Sequence, residues 1–405
     1  MTTNRPEMIA AVAGTMRSSV SRRRLLQAAG IGGAAVAVAA CGTGGSDATG
    51  ESGEAATAED MSDSEKVVNW SNWPLYIDVD EETGDRPTLA AFQESTGIAV
   101  TYTEDINDNN EFFAKVRTQL EQGQPIDRDI VTLTDWMAAL WIQSGFVQKL
   151  DKAQIPNFSN MLPKYLDVSF DPGREYSMPW QSGFGGLGYN KASLQQAMGV
   201  DSITTIDQLF DPALKGRITV LSEMRDTMGC IMAWQGNDPS NFTPDQFAQG
   251  IEALTKQIDS GQIRQVTGND YVAALESGDV IAVLGWSGDV FALGDDFGFG
   301  LPESGGMLWT DNMMIPASAT HKKNAEAVMN YYYDPEVAAL VAQYMNYVCP
   351  VAGAQEAMAA LDPELADSPW IFPNEEILNN SYVFMELTPE QDAEYQKLFQ
   401  TAIGL

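Results

Sequence analysis

From Val67 to Ile142 short apolar runs alternate with longer amphipathic ones, and this alternation restricts the fold more than any other property of the chain. Val67-Val68-Asn69-Trp70 reads as a strand that runs into a loop at Ser71-Asn72-Trp73-Pro74. Thr88 to Thr96 places Leu89 and Phe92 on one helical face, and Gly97 stops it. Ile98 to Tyr102 alternates as a strand, and Asn109 to Gln122 repeats Phe112, Phe113, Val116 and Leu120 at helical spacing. Asp129 to Leu133 is a short buried strand, followed by a helix through Trp136, Leu140 and Ile142. Strands separated by helices at this spacing imply an α/β fold with a largely parallel sheet.

A second series of the same kind follows. Ile218 to Leu221 and Val280 to Leu284 read as strands, and Thr227–Trp234, Asp245–Ser260 and Tyr271–Ser277 as helices. Between the two series lies Gly183-Phe184-Gly185-Gly186-Leu187-Gly188, read as a crossover whose glycines supply unusual backbone angles. Met307-Leu308-Trp309 and Met313 to Pro316 mark the return. The folded part, about 340 residues from Lys66, exceeds a comfortable single core. The expected arrangement is therefore two lobes with a ligand cleft between them. Residues 66–178 and 306–345 form the first lobe and 179–305 the second, with 346–405 packing on both.

The first forty residues are an export signal rather than part of that fold. Arg22, Arg23 and Arg24 precede Leu25 and Leu26, the pattern of the twin-arginine route for folded proteins. The uncharged run Ala28–Ala40 is about 13 residues, short of the roughly 20 that span a bilayer. Val38-Ala39-Ala40-Cys41-Gly42 resembles a lipobox, which implies that Cys41 becomes the lipidated first residue of the mature chain. A cleaved signal with a chance cysteine is the alternative. Residues 41–65, rich in Gly, Ser, Ala, Thr, Asp and Glu, read as a flexible tether.

Charge excludes one class of partner. The chain carries 23 basic and 56 acidic residues, and only five arginines and one glutamate of these fall in the first forty. Nucleic acid is not a partner for such a surface. The acids serve solubility, or they concentrate a cationic ligand. Composition alone does not choose between these. Cys230 and Cys349 can pair or remain lone thiols. The lone histidine, His321, sits in what reads as a surface turn, so a Ser-His catalytic arrangement and His- or Cys-based metal sites find no support.

What recurs instead are aromatic residues and acids in loops and crossovers: Trp73 and Tyr76, Asp135 and Trp136, and Trp286 and Asp289 after strands, and Trp309 and Asp311 at the return. Glu223 and Asp226 follow another strand, and Asp270 and Tyr271 precede a helix. Open α/β sheets bind ligands at the carboxyl ends of their strands. Carboxylates give charge-assisted hydrogen bonds to ammonium groups, and aromatic faces attract a cation while covering methylenes. The pattern therefore suits a flexible polyammonium ligand. A receptor for another cationic or polar solute, and an extracytoplasmic hydrolase using two carboxylates, are the alternatives.

At Asn72-Trp73-Pro74-Leu75-Tyr76, Phe92 to Val100, Gly145 to Asp151, Tyr176-Ser177-Met178-Pro179, Trp286-Ser287-Gly288-Asp289 and Trp309 to Pro316 the chain resembles the spermidine/putrescine-binding family of periplasmic receptors. The resemblance covers nearly all of residues 67–400. It implies a monomeric, non-enzymatic solute-binding component of an ABC importer, without a cofactor, that meets a membrane permease. Carried over by position, Trp73 and Tyr76 would line the cleft from lobe one, with Thr134 and Trp136 against the ligand. Glu223 and Asp226 would surround a primary amine, Trp286 would stack on the polymethylene chain, and Asp289 would pair with an amine. Asp270 and Tyr271 lie near a further family contact, and Asp135 or Asp311 is the candidate to replace the acid that position 75 lacks. Leu75 stands where putrescine-selective members have an acid, and on that ground spermidine is expected to be preferred.

Overall fold

A computed structural model describes residues 58–80 and 82–405. The export signal, Cys41 and the tether up to residue 57 lie outside the described residues. Strand β1 (Val67–Asn72) leads to α1 (Pro87–Thr96), whose first turn opens on Pro87 and which ends at Gly97 in the left-handed region, φ 71°. Strand β2 (Ala99–Glu104) precedes α2 (Asn109–Glu121), where Asp108 accepts from Asn110 N and Glu111 N to cap the helix. Strand β3 (Ile130–Thr134) runs directly into α3 (Asp135–Gln143). β1 pairs in parallel with both β2 and β3, as the alternation predicts.

After the hairpin β4 (Asp167–Val168) and β5 (Asp171–Pro172) comes β6 (Ser177–Asn190), a 14-residue strand buried along almost its whole length. The second series contains β7 (Ile218–Leu221), α4 (Met224–Trp234), α5 (Pro244–Asp259), β8 (Ile263–Thr267), α6 (Tyr271–Ser277), β9 (Ala282–Trp286), α7 (Ser287–Ala292) and β10 (Phe297–Gly300). Strand β11 (Gly306–Met314) returns, followed by α8 (Lys322–Tyr332), α9 (Pro335–Met345), β12 (Ser381–Tyr382) and α10 (Pro389–Ile403). The main sheet among the described residues has ten strands, with the path β2-β1-β3-β11-β6-β9-β7-β8. Two parallel groups, β2-β1-β3 and β9-β7-β8, are thus joined by the antiparallel pair β6 and β11. Two apolar clusters fill the fold: one built around Trp70, Phe92 and Trp141, which extends to Tyr271 and Val283 of the second series, and one around Val220, Ile231 and Phe247.

The glycines of β6 have a different reason from the expected one. None of Gly183, Gly185, Gly186 and Gly188 has positive φ. They lie in regular strand, and neighbours crowd the space a side chain would fill. A Cβ on Gly185 would sit 2.7 Å from Asp226 Oδ1, and one on Gly183 would collide with the Trp309 ring. The sequence shows that glycines are needed there, but close approach and turn conformation leave the same residue type behind.

Two further readings change. Residues 58–65 pack on lobe one rather than hanging free. Met61 N donates to Thr320 O at 2.7 Å, and the buried Ser62 hydroxyl accepts from Asn324 N in the first turn of α8. Composition predicts no apolar burial here, but backbone and capping hydrogen bonds order the segment without it. His321 is buried instead of exposed, with Nδ1 2.9 Å from Asp129 and Nε2 3.0 Å from Glu65. Cys230 and Cys349 are both buried, free thiols. No helix among the described residues is long and apolar enough to cross a membrane.

Candidate ligand-binding site

A cavity of about 300 Å³ lies where the carboxyl ends of β1 and β3 in one lobe meet those of β7 and β9 in the other. Strand polarity explains its contents. Trp73 and Tyr76 come from the loop after β1, Thr134, Asp135 and Trp136 from the β3–α3 junction, and Glu223, Arg225 and Asp226 from the β7–α4 junction. Trp286 and Asp289 come from the β9–α7 junction, and Trp309 and Asp311 from β11.

Three buried aspartates face this space. Asp226 and Asp289 sit in the first turns of α4 and α7, where the helix dipole favours a carboxylate. Asp226 accepts from Trp286 Nε1 at 3.2 Å, and burial pushes its carboxyl up to about 7. Asp311 lies opposite Thr134 in the β3/β11 ladder and accepts from its hydroxyl at 2.6 Å. Burial pushes Asp311 up to about 7 as well. Asp289 accepts from Asn269 Nδ2 at 2.8 Å, Tyr347 OH at 2.9 Å and Tyr271 OH at 3.0 Å. Asp226 and Asp311 are thus partly protonated at neutral pH, and a positive charge entering beside them favours the ionised form.

Around the acids runs a belt of aromatic rings, each edge-on to the next. Trp73 meets Trp286 at 6.0 Å, Trp286 meets Trp309 at 6.3 Å, Trp309 meets Tyr347 at 5.3 Å, and Tyr347 meets Tyr76 at 5.4 Å. Trp73 is held by its Nε1 donating to Thr132 O. The Tyr76 hydroxyl sits against the Asp311 carboxyl, while among the described residues Trp309 Nε1, which also lines the cavity, has no partner at hydrogen-bonding distance. Buried polar atoms left in that state are costly unless something else satisfies them.

The structure gathers nine of the eleven expected ligand residues around the cavity: Trp73, Tyr76, Thr134, Trp136, Glu223, Asp226, Trp286, Asp289 and Asp311. Asp270 is exposed and does not line it, and Asn269 stands there instead. Tyr271 is fully buried behind the wall and bonds to Asp289 and to Trp286 N. Glu223 is at the edge of the cavity, but its Oε1 accepts from Asn109 N at 3.0 Å and Asn109 Nδ2 at 2.9 Å across the lobes. Ser222 adds a second cross-lobe bond, to Asp108 Oδ2 at 2.8 Å. Leu75 takes φ 57° and does not line the cavity, which removes the basis for the expected spermidine preference.

Other lining residues went unforeseen. Tyr347 follows Asn346, whose left-handed conformation (φ 57°) ends α9 and turns the chain inward. An asparagine after an apolar helical run was the available signal. Trp309, paired with Asp311 in the sequence, lines the cavity from β11 as that acid does. Val383 to Leu387 and Asp392 also line the cavity, and no periodicity in the sequence ties that segment to it.

A family model described as bacterial extracellular solute-binding protein matches residues 88–373. The chain is 26% identical over 321 residues to the spermidine/putrescine-binding periplasmic protein of Escherichia coli K12, covering 78% of this chain and 86% of that protein. It is 25% identical over 346 residues to the putrescine-binding periplasmic protein PotF of the same organism, covering 81% and 89%. Among solved structures it is similar to a spermidine/putrescine ABC transporter protein of Listeria monocytogenes, with TM-score 0.71, 26% identity, and coverage of 84% of this chain and 99% of that one.

Proposed function

This chain belongs to the bacterial extracellular solute-binding protein family, and on that footing we propose that it captures a polyamine, spermidine or putrescine, and delivers it to the membrane permease of an ABC importer. One observation carries the choice of ligand: Asp226, Asp289 and Asp311 are buried together inside a belt of tryptophans and tyrosines between two lobes. A diammonium chain answers both halves of that environment. Its ends give charge-assisted hydrogen bonds, worth about 1.5–3 kcal/mol each, and its methylenes cover ring faces at about 0.8 kcal/mol apiece. A neutral sugar would offer these carboxyls hydroxyl donors but no positive charge to offset their ionised forms.

In this reading the protein performs no chemistry. It acts as a monomer on the extracytoplasmic side, held to the membrane by lipid on Cys41. Glu223 serves closure: its bonds to Asn109 join the lobes over the captured ligand. Calorimetric titration of the purified chain tests the proposal. Spermidine or putrescine should bind with a stoichiometry of one, and glucose and maltose should give no heat. Heat with a sugar and none with any polyamine refutes it.

A further inference from the structure

One cation already occupies part of the site. Arg225, in the first turn of α4, lays its guanidinium 4.1 Å from the centre of the Trp136 ring, reaching across the cleft from the second lobe to the first. Phe384 flanks the same group at 5.8 Å. Asp392, in the first turn of α10, accepts from Arg225 Nη2 at 2.7 Å. Aromatic faces and a carboxylate around a positive charge are the same elements that Trp73, Trp286 and the buried aspartates offer a ligand ammonium.

The parts that hold Arg225 come from the C-terminal segment, beyond the stretch that the family model matches. Strand β12 pairs with the start of β11, Met385 N donates to Pro239 O at 2.9 Å, and Tyr395 of α10 stacks on Phe247 of α5 at 4.2 Å. The segment is thereby anchored on the second lobe. From there Val383 to Leu387 line the cavity, and Glu386 accepts from Ser169 of the first lobe at 2.9 Å.

Resting on the polyamine reading, we infer that Arg225, fixed by Asp392 and Phe384, is a specificity-determining residue that fills the Trp136 end of the cavity and limits the ligand to a short diamine. A third ammonium at that end would meet a like charge already seated on the ring, and the extra methylenes would meet the segment 383–387. A diamine needs only the end bounded by Asp226, Asp289 and Asp311. The face of Trp136 is then closed to the ligand, in contrast to the role that the resemblance assigned to it.

The test is the ratio of putrescine to spermidine affinity, measured by calorimetry at constant salt for the intact chain and for Arg225→Ala and Asp392→Asn. Removing a cation from an acidic site favours the trivalent spermidine over the divalent putrescine by general charge attraction, so the ratio is read at high salt, which screens that effect and leaves a contact at Trp136 in place. The wild type should favour putrescine. Arg225→Ala should move the ratio toward spermidine by about tenfold, and Asp392→Asn, which leaves the guanidinium charge without its partner acid, should move it the other way, toward putrescine. Asp392→Asn keeps the side-chain shape and supplies the readout if Arg225→Ala does not fold. A ratio that moves less than threefold in a folded variant, or a wild type that prefers spermidine, overturns the inference and leaves the polyamine reading intact. Absence of binding to both polyamines in the wild type overturns both.

Discussion

Acidification should weaken ligand binding steeply, because the acids that would meet an ammonium hold their protons unusually tightly. Asp226 and Asp311 are both pushed up to about 7 by burial, against 3.8 for a solvated aspartate. At pH 5.5 each is almost wholly protonated in the ligand-free protein. Ligand amines, like lysine near 10.4, stay charged throughout, so pairing requires the carboxyl to release its proton first. Each pH unit below the pKa costs about 1.4 kcal/mol per group, so 1.5 units cost about 2 kcal/mol for one aspartate and about 4 for both. The dissociation constant for putrescine should therefore rise by roughly 30-fold to 1,000-fold between pH 8 and pH 5.5.

Stability of the ligand-free protein should run the other way. With folded-state values above the unfolded 3.8, the protonated aspartates contribute stability that is fully present below about pH 4 and is lost as pH rises through about 7. Titrations in buffers of different ionisation heat should register net proton release on binding near pH 6. A dissociation constant constant within twofold from pH 5.5 to 8, with no proton release, refutes the assignment of these buried acids to the ligand.

Asp289→Ala should weaken putrescine binding by about 2 kcal/mol or more, since Asn269, Tyr271 and Tyr347 lose their shared acceptor along with the charge; equal affinity in a folded variant contradicts its place in the site. Glu223→Ala should instead weaken all ligands alike, mainly through faster release in stopped-flow fluorescence, because it breaks a cross-lobe bond; a selective loss for one polyamine would return Glu223 to direct contact. In Gly185→Ala the added methyl must displace the Asp226 carboxylate, so affinity should fall at least tenfold with the circular dichroism spectrum unchanged, and wild-type affinity refutes the close-approach account. Cys41→Ser should release the protein from membranes or leave it unprocessed, and a normally processed, membrane-bound variant contradicts the lipobox reading.

How legible the molecule is from its sequence varies with the physics at each place. The parallel groups around β1 and β7 show through because amphipathic period and buried runs are local properties. The carboxyl-end rule then puts Trp73, Thr134, Asp226 and Asp289 at one cleft without any coordinate. What stays hidden depends on partners distant in the chain. Asn109 engages Glu223 from 114 positions away, and Asp392 holds Arg225 from 167. Ser62 and His321 look solvated by composition and are ordered by hydrogen bonds that composition does not reveal. Asp270 and Leu75 show the other failure: a one-residue change in the direction of a loop takes a side chain off the cavity wall, and sequence spacing does not resolve that.

A crystal structure of the chain grown with putrescine tests the central claim most directly. One diamine should lie inside the cavity, with its two ammonium groups within hydrogen-bonding distance of carboxylates among Asp226, Asp289 and Asp311. Its methylenes should lie against Trp286 or Trp73, with the Arg225 guanidinium still over Trp136. Putrescine bound elsewhere, or a cavity in which these aspartates touch no ligand nitrogen, contradicts it.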